Sequence, residues 1–139
     1  MKIYTSYFSN GKKLSAANVM MVGIALFPPK WFYGQSLKQI APSYSIFHEK
    51  PFNAERYTER FKNEVLKSID PYWVLEVLER MAGGHDVALC CYEKPGDFCH
   101  RHIVAQWLME NTGVEVTEFG DEPKKPEKPQ PQQMTLFDL

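Results

Sequence analysis

The run Val87-Ala88-Leu89-Cys90-Cys91 and the residues after it constrain this chain more than any other stretch. The run is short, apolar and β-prone, and Ile103, Val104, Trp107 and Leu108 follow it at helical spacing. Residues 87–111 therefore read as a strand, a loop over Tyr92–Phe98 and a helix, and α/β proteins place chemistry at such junctions. Asp97 suits the helix cap, with Phe98 and Cys99 at its first two positions.

The rest of the chain repeats the pattern. Lys2–Phe8 alternates as a strand and ends at Asn10-Gly11, and Val19–Phe27 reads as a second strand. The aromatic segment Pro28–Gly34 is expected either to pack over the sheet edge or to line a pocket. Leu37–Ile40 suggests a helical turn and Tyr44–Phe47 a short strand. Asn53 caps a helix predicted from Ala54 to about Ile69, with Tyr57, Phe61, Val65 and Ile69 on one face. Asp70 and Pro71 start another, which buries Val74, Val77, Leu78 and Met81 and stops at Gly83-Gly84. Gly113 ends the helix after the loop, and Val114–Phe119 is the last strand. Strands separated by helices indicate a single α/β domain over residues 1–119 with a mostly parallel sheet.

Composition narrows the function classes. With 139 residues, 14% aromatic, the chain can bury a core, and a net charge of -1 argues against a general nucleic-acid-binding surface. Three cysteines without a secretory signal point to reduced thiols in a cytosol. The longest apolar run, Val19–Phe27, is about half of the ~20 residues a membrane helix needs, so no membrane association is expected.

From residue 120 to 132 the chain turns to Pro, Lys, Glu and Gln, the composition of a disordered, extended linker with roughly 35–40 Å of reach. Hydrophobicity returns in the peptide 133–139, which ends in Leu136, Phe137 and Leu139. Such an ending either docks on a partner or folds back on its own domain.

Cys99 is the candidate nucleophile or redox thiol. A helix N-terminus and Arg101 favour its thiolate and would also hold a small anion; His100 and His102 are candidate proton carriers, His102 lying three residues from Cys99. Cys99 also falls on the apolar face of the helix, where a cysteine is often only a small buried hydrophobe. A phosphatase-type loop would want arginine six residues after Cys91, and that residue is Asp97. Zinc is a lesser alternative, using Cys91, Cys99, His100 or His102 with His85 or Glu93; no closed structural-site spacing is present, and no cofactor is predicted.

The segment from Val87 to Leu108, with its Glu93-Lys94 and Cys99-His100-Arg101, resembles the signature of the domain of unknown function 488 family. Ile3-Tyr4, Phe27-Pro28-Pro29 and Ala41-Pro42-Ser43 extend the likeness across roughly residues 1–119. The resemblance implies a Rossmann-like layered domain of bacteria, archaea and their viruses, with Glu93, Cys99, His100 and Arg101 at the motif positions. Separately, Gln133-Met134-Thr135-Leu136-Phe137 resembles the bacterial sliding-clamp-binding motif, with Gln133, Leu136 and Phe137 as contact residues and Thr135 in place of the commoner Ser or Asp. Together these imply a cytoplasmic protein of a bacterial cell or phage-infected host, tethered to a replication clamp and acting on a nucleotide or DNA-associated substrate. The rivals are a non-catalytic adaptor that competes for the clamp and a metal-binding protein.

Overall fold

A computed structural model describes residues 1–121, so the clamp-like peptide with Gln133, Leu136 and Phe137 lies outside the described residues, as does nearly all of the linker. Five strands form one sheet: β1 (Ile3–Tyr7), β2 (Val19–Gly23), β3 (Gln35–Ser36), β4 (Asp86–Cys91) and β5 (Val116–Glu118). Their order is β3-β2-β4-β1-β5, and every pairing is parallel. β4 is central, its Leu89 level with Thr5 of β1 on one side and Val22 of β2 on the other.

The successive side chains of β4 go to opposite faces, which explains why the strand contains so little polar surface. Val87 and Leu89 join Ile3 and Val22 in a core covered by α3 (Ala54–Glu64), α4 (Pro71–Ala82) and α5 (His100–Thr112). Ala88 and Cys90 pack with Tyr4, Phe8 and Leu14 under the short helix α1 (Gly11–Ala16). No helix among the described residues is long and apolar enough to cross a membrane.

Local signals produce the helix ends. The Asn53 side chain accepts from the Arg56 amide at 3.0 Å, and Asp70 accepts from Tyr72 at 2.9 Å with Pro71 at the first helical position. Gly83 and Gly113 close α4 and α5 at φ of 54° and 73°, in the left-handed region where a Cβ is unfavourable.

Four expected elements differ. β2 stops at Gly23 rather than Phe27: a Cβ on Gly23 would lie 2.8 Å from Ser36 Oγ, so the close approach of β3 marks the end of the regular strand. Tyr44–Phe47 is not a strand but one helical turn, α2, because the Ser43 hydroxyl accepts from the Ile46 amide at 3.3 Å and caps it. α3 ends at Glu64 and tightens into a 3-10 turn over Leu66–Ser68, which carries fully buried Leu66 into the core although it lies off the Tyr57-Phe61-Val65 stripe. The last strand is shortened to Val116–Glu118. As for Pro28–Gly34, it covers the sheet edge: Phe32 packs on Phe8 with ring centres 5.0 Å apart.

Candidate functional site: a cysteine–histidine cluster under an aromatic cavity

A cavity of about 600 Å³ opens beyond the carboxyl ends of β2 and β4, the end at which parallel sheets bind ligands. Its walls are aromatic. Phe27 follows β2, Phe47 ends α2, Phe52 and Tyr57 flank the start of α3, and Tyr92 and Phe98 bracket the loop after β4. Phe98 is the keystone, with its ring 5.2 Å from Phe52 and 5.0 Å from Tyr57 in edge-on contacts. The Tyr92 hydroxyl donates to the Phe27 carbonyl at 2.5 Å and ties together the segments that follow β2 and β4. Burial, aided by the nearby Glu93 carboxylate, holds the Tyr57 phenol above its ordinary pKa, so at neutral pH it is a neutral donor.

Cys91, Cys99 and His100 meet in the cavity lining, all buried. Cys91 is the last residue of β4. Cys99 is the N-cap of α5, in extended conformation (φ -151°, ψ 140°), and His100 is the first helical residue. The expected cap at Asp97 is thus displaced by two residues: Asp97 instead closes a turn, its amide donating to the Lys94 carbonyl at 3.2 Å across Gly96 at φ 95°. Because Cys99 precedes the helix, its side chain turns back toward the strand end and its sulfur joins that of Cys91 at 1.97 Å as a disulfide. The expectation of reduced thiols is therefore revised for this pair; the free cysteine among the described residues is Cys90. It sits under α1, where burial pushes its thiol up to about 12.

His100 is oriented by a single strong contact. Its Nε2 lies 2.5 Å from the Ile24 carbonyl, which can only accept, so Nε2 carries the hydrogen and Nδ1 presents a lone pair. Nδ1 is 3.9 Å from the Cys99 sulfur. Burial lowers the imidazole pKa to about 4, the charges of Arg101 and His102 adding to the effect and the Ile24 hydrogen bond opposing it. His100 is therefore neutral near pH 7, as a base or a ligand must be.

Arg101 is wholly buried behind the cluster. Its fork is closed on Glu118 of β5, Nε to Oε1 at 2.9 Å and Nη2 to Oε2 at 3.0 Å, and Nη1 donates to Cys91 Sγ at 2.9 Å and to the Glu93 carbonyl at 2.6 Å. The guanidinium expected to grip an anion beside Cys99 stands instead behind Cys91, with each of its three nitrogens hydrogen-bonded within the protein. Glu93 lines the cavity. His102 is exposed on α5 and His85 is exposed after α4, so neither joins the cluster. Among the described residues, the group placed to hold a metal ion is Cys91, Cys99 and His100, whose ligand atoms lie within 4.8 Å of one another.

From sequence, Cys91 is a lesser zinc candidate; the residues that sequence reasoning missed are those of the wall from Phe47 to Tyr57. The available signal was a density of aromatics beside Pro42 and Pro51 in a segment with little regular structure.

A family model described as the active DUF488-N3 subclade, DUF488-N3a, matches residues 10–112. The chain belongs to this family. The DUF488-N3a match spans α1 to the end of α5 and contains Cys91, Cys99, His100 and Arg101, whereas β1 and Glu118 lie outside it. No curated protein and no solved structure matches the chain.

Proposed function

We propose that this DUF488-N3a protein is an enzyme that binds a planar, aromatic part of a nucleotide or DNA-associated substrate in the cavity and acts on it with Cys91, Cys99 and His100. The observation that carries the reading is the placement of two sulfurs and a neutral imidazole at the base of an aromatic-walled cavity. Its volume falls within the roughly 300–1,000 Å³ usual for small-molecule sites, and aromatic walls favour a flat π-system. The closure of Arg101 on Glu118 removes the obvious phosphate clamp, so recognition belongs to the base-like part and not to a charged group. In the same reading, residues 133–137 dock in an apolar groove of a bacterial-type sliding clamp, with Leu136 and Phe137 as anchors and Gln133 at the rim.

Calorimetry with nucleobases, nucleosides and mononucleotides tests the substrate class. Binding should be seen with at least one base, should be weakened at least tenfold by Phe98→Ala, and should survive removal of the phosphate. Absence of heat for every compound at millimolar concentration overturns it. Titration of the full-length protein into its cognate clamp tests the tether, with micromolar affinity expected and loss of binding in a Leu136→Ala, Phe137→Ala double variant. A biological effect that needs the tail but persists after Cys99→Ser would select the adaptor reading.

A further inference from the structure

We propose that Cys91, Cys99 and His100, once the disulfide is reduced, form a zinc site whose fourth position opens into the aromatic cavity. The three donor atoms come from a strand end, a helix cap and a first helical turn, and all three residues line the cavity. Two thiolates and one imidazole are a donor set found in catalytic zinc sites, where three protein ligands leave one position for water or substrate. The supporting contacts are those a metal centre requires. The Ile24 carbonyl takes the Nε2 hydrogen of His100 at 2.5 Å and so fixes Nδ1 as the ligating nitrogen. Arg101 Nη1 donates to Cys91 Sγ at 2.9 Å, a hydrogen bond that a thiolate accepts better than a thiol, and Glu118 neutralises that arginine. A divalent ion with two thiolates and a neutral imidazole sums to zero charge, which suits a cluster this deeply buried.

The backbone also fits a metal-bridged pair. The two Cα atoms are 7.3 Å apart, beyond the roughly 4.4–6.8 Å usual for disulfides. With Zn–S bonds of about 2.3 Å, tetrahedral zinc holds its sulfurs roughly 3.7 Å apart, so the pair separates when it takes up the ion. The redox step balances with an external dithiol: the protein disulfide gains two electrons and two protons, the reductant closes to its own disulfide, and zinc then displaces the two thiol protons. Oxidation therefore excludes zinc, and zinc protects the thiols. The inference uses the same residues as the proposed reaction but needs no substrate.

The test uses full-length protein, reduced with a phosphine and then freed of phosphine and excess metal. Elemental analysis should give one zinc per chain for the reduced protein and none for the oxidised protein. Cobalt loading should give thiolate-to-metal charge-transfer bands and the intense visible bands of a tetrahedral ion. Cys99→Ser and His100→Ala should weaken zinc binding at least tenfold, while Cys90→Ser and His85→Ala leave it unchanged. Should the variants fail to fold, as judged by circular dichroism, the wild-type comparison between oxidised and reduced protein decides alone. Zinc absent from the reduced protein, zinc equally retained by the oxidised protein, or a cobalt spectrum without thiolate bands overturns the proposal. None of these readouts depends on nucleobase binding, so the two readings fail separately.

Discussion

Glu118→Gln should destabilise the domain out of proportion to its chemical size. The Glu118 carboxylate accepts both arms of the Arg101 fork and, at 2.6 Å, the Thr5 hydroxyl, and the side chains of Arg101 and Glu118 are 0% and 9% exposed. An amide in its place retains one acceptor oxygen, turns an N–H toward the guanidinium and leaves that cation without a counter-charge in a place water cannot reach. Removing one partner of a buried pair costs about 3–5 kcal/mol. Arg80 and Glu76, an i,i+4 pair whose side chains are 72% and 60% exposed, provide the contrast, because exposed helix pairs of this kind contribute only about 0.3–0.5 kcal/mol. In urea unfolding followed by tryptophan fluorescence, Glu118→Gln should lower the midpoint by on the order of 2 M and Glu76→Gln by a small fraction of that. Replacing both partners with apolar residues, Arg101→Met with Glu118→Leu, should recover most of the loss, since no stranded charge remains. If Glu118→Gln and Glu76→Gln shift the midpoint equally, the Arg101 pair is solvated and the reasoning fails.

Three further outcomes follow from the same geometry. After reduction, iodoacetamide at neutral pH should label Cys91 and Cys99 while leaving Cys90, held near 12 by burial, unmodified; peptide mass spectrometry showing equal labelling of Cys90 would contradict its place under α1. In the oxidised, metal-free protein the folded-state pKa of His100, about 4, lies below its ordinary 6.5, so as pH falls the unfolded chain takes up the proton first. Its contribution is intact above pH 6.5 and is lost progressively toward pH 4, by about 3 kcal/mol at most, and His100→Gln should flatten that part of the stability–pH profile; an unchanged slope refutes the assignment. Gly23→Ala places a methyl group 2.8 Å from Ser36 Oγ and 3.2 Å from the Phe32 ring, so it should cost about 1–3 kcal/mol by thermal unfolding, whereas a neutral result would mean that β3 yields freely.

Features that depend on a few neighbouring residues were legible in the amino-acid sequence. Asn53, the Asp70-Pro71 pair, Gly83 and Gly113 mark helix ends because a cap is satisfied by a side chain or a backbone angle within a turn of itself, and the apolar run at β4 is a strand wherever it packs. The alternation of such elements was enough for an α/β domain, and the cysteine–histidine–arginine segment pointed to the place where the Cys91, Cys99 and His100 cluster forms. The direction in which each of those side chains acts was decided only by tertiary structure. Arg101 turns to Glu118 because β5 lies beside β1 in register with Thr5, and Cys99 meets Cys91 because the helix begins one residue after the cysteine and not one residue before it. The aromatic wall from Phe47 to Tyr57 reaches the end of β4 across more than thirty residues of sequence, a distance no local periodicity spans. A cap is a contact between neighbours, whereas a cavity is a contact between segments whose separation in the chain carries no signal of their meeting; strand order and register bring them together, and those are properties of the whole sheet.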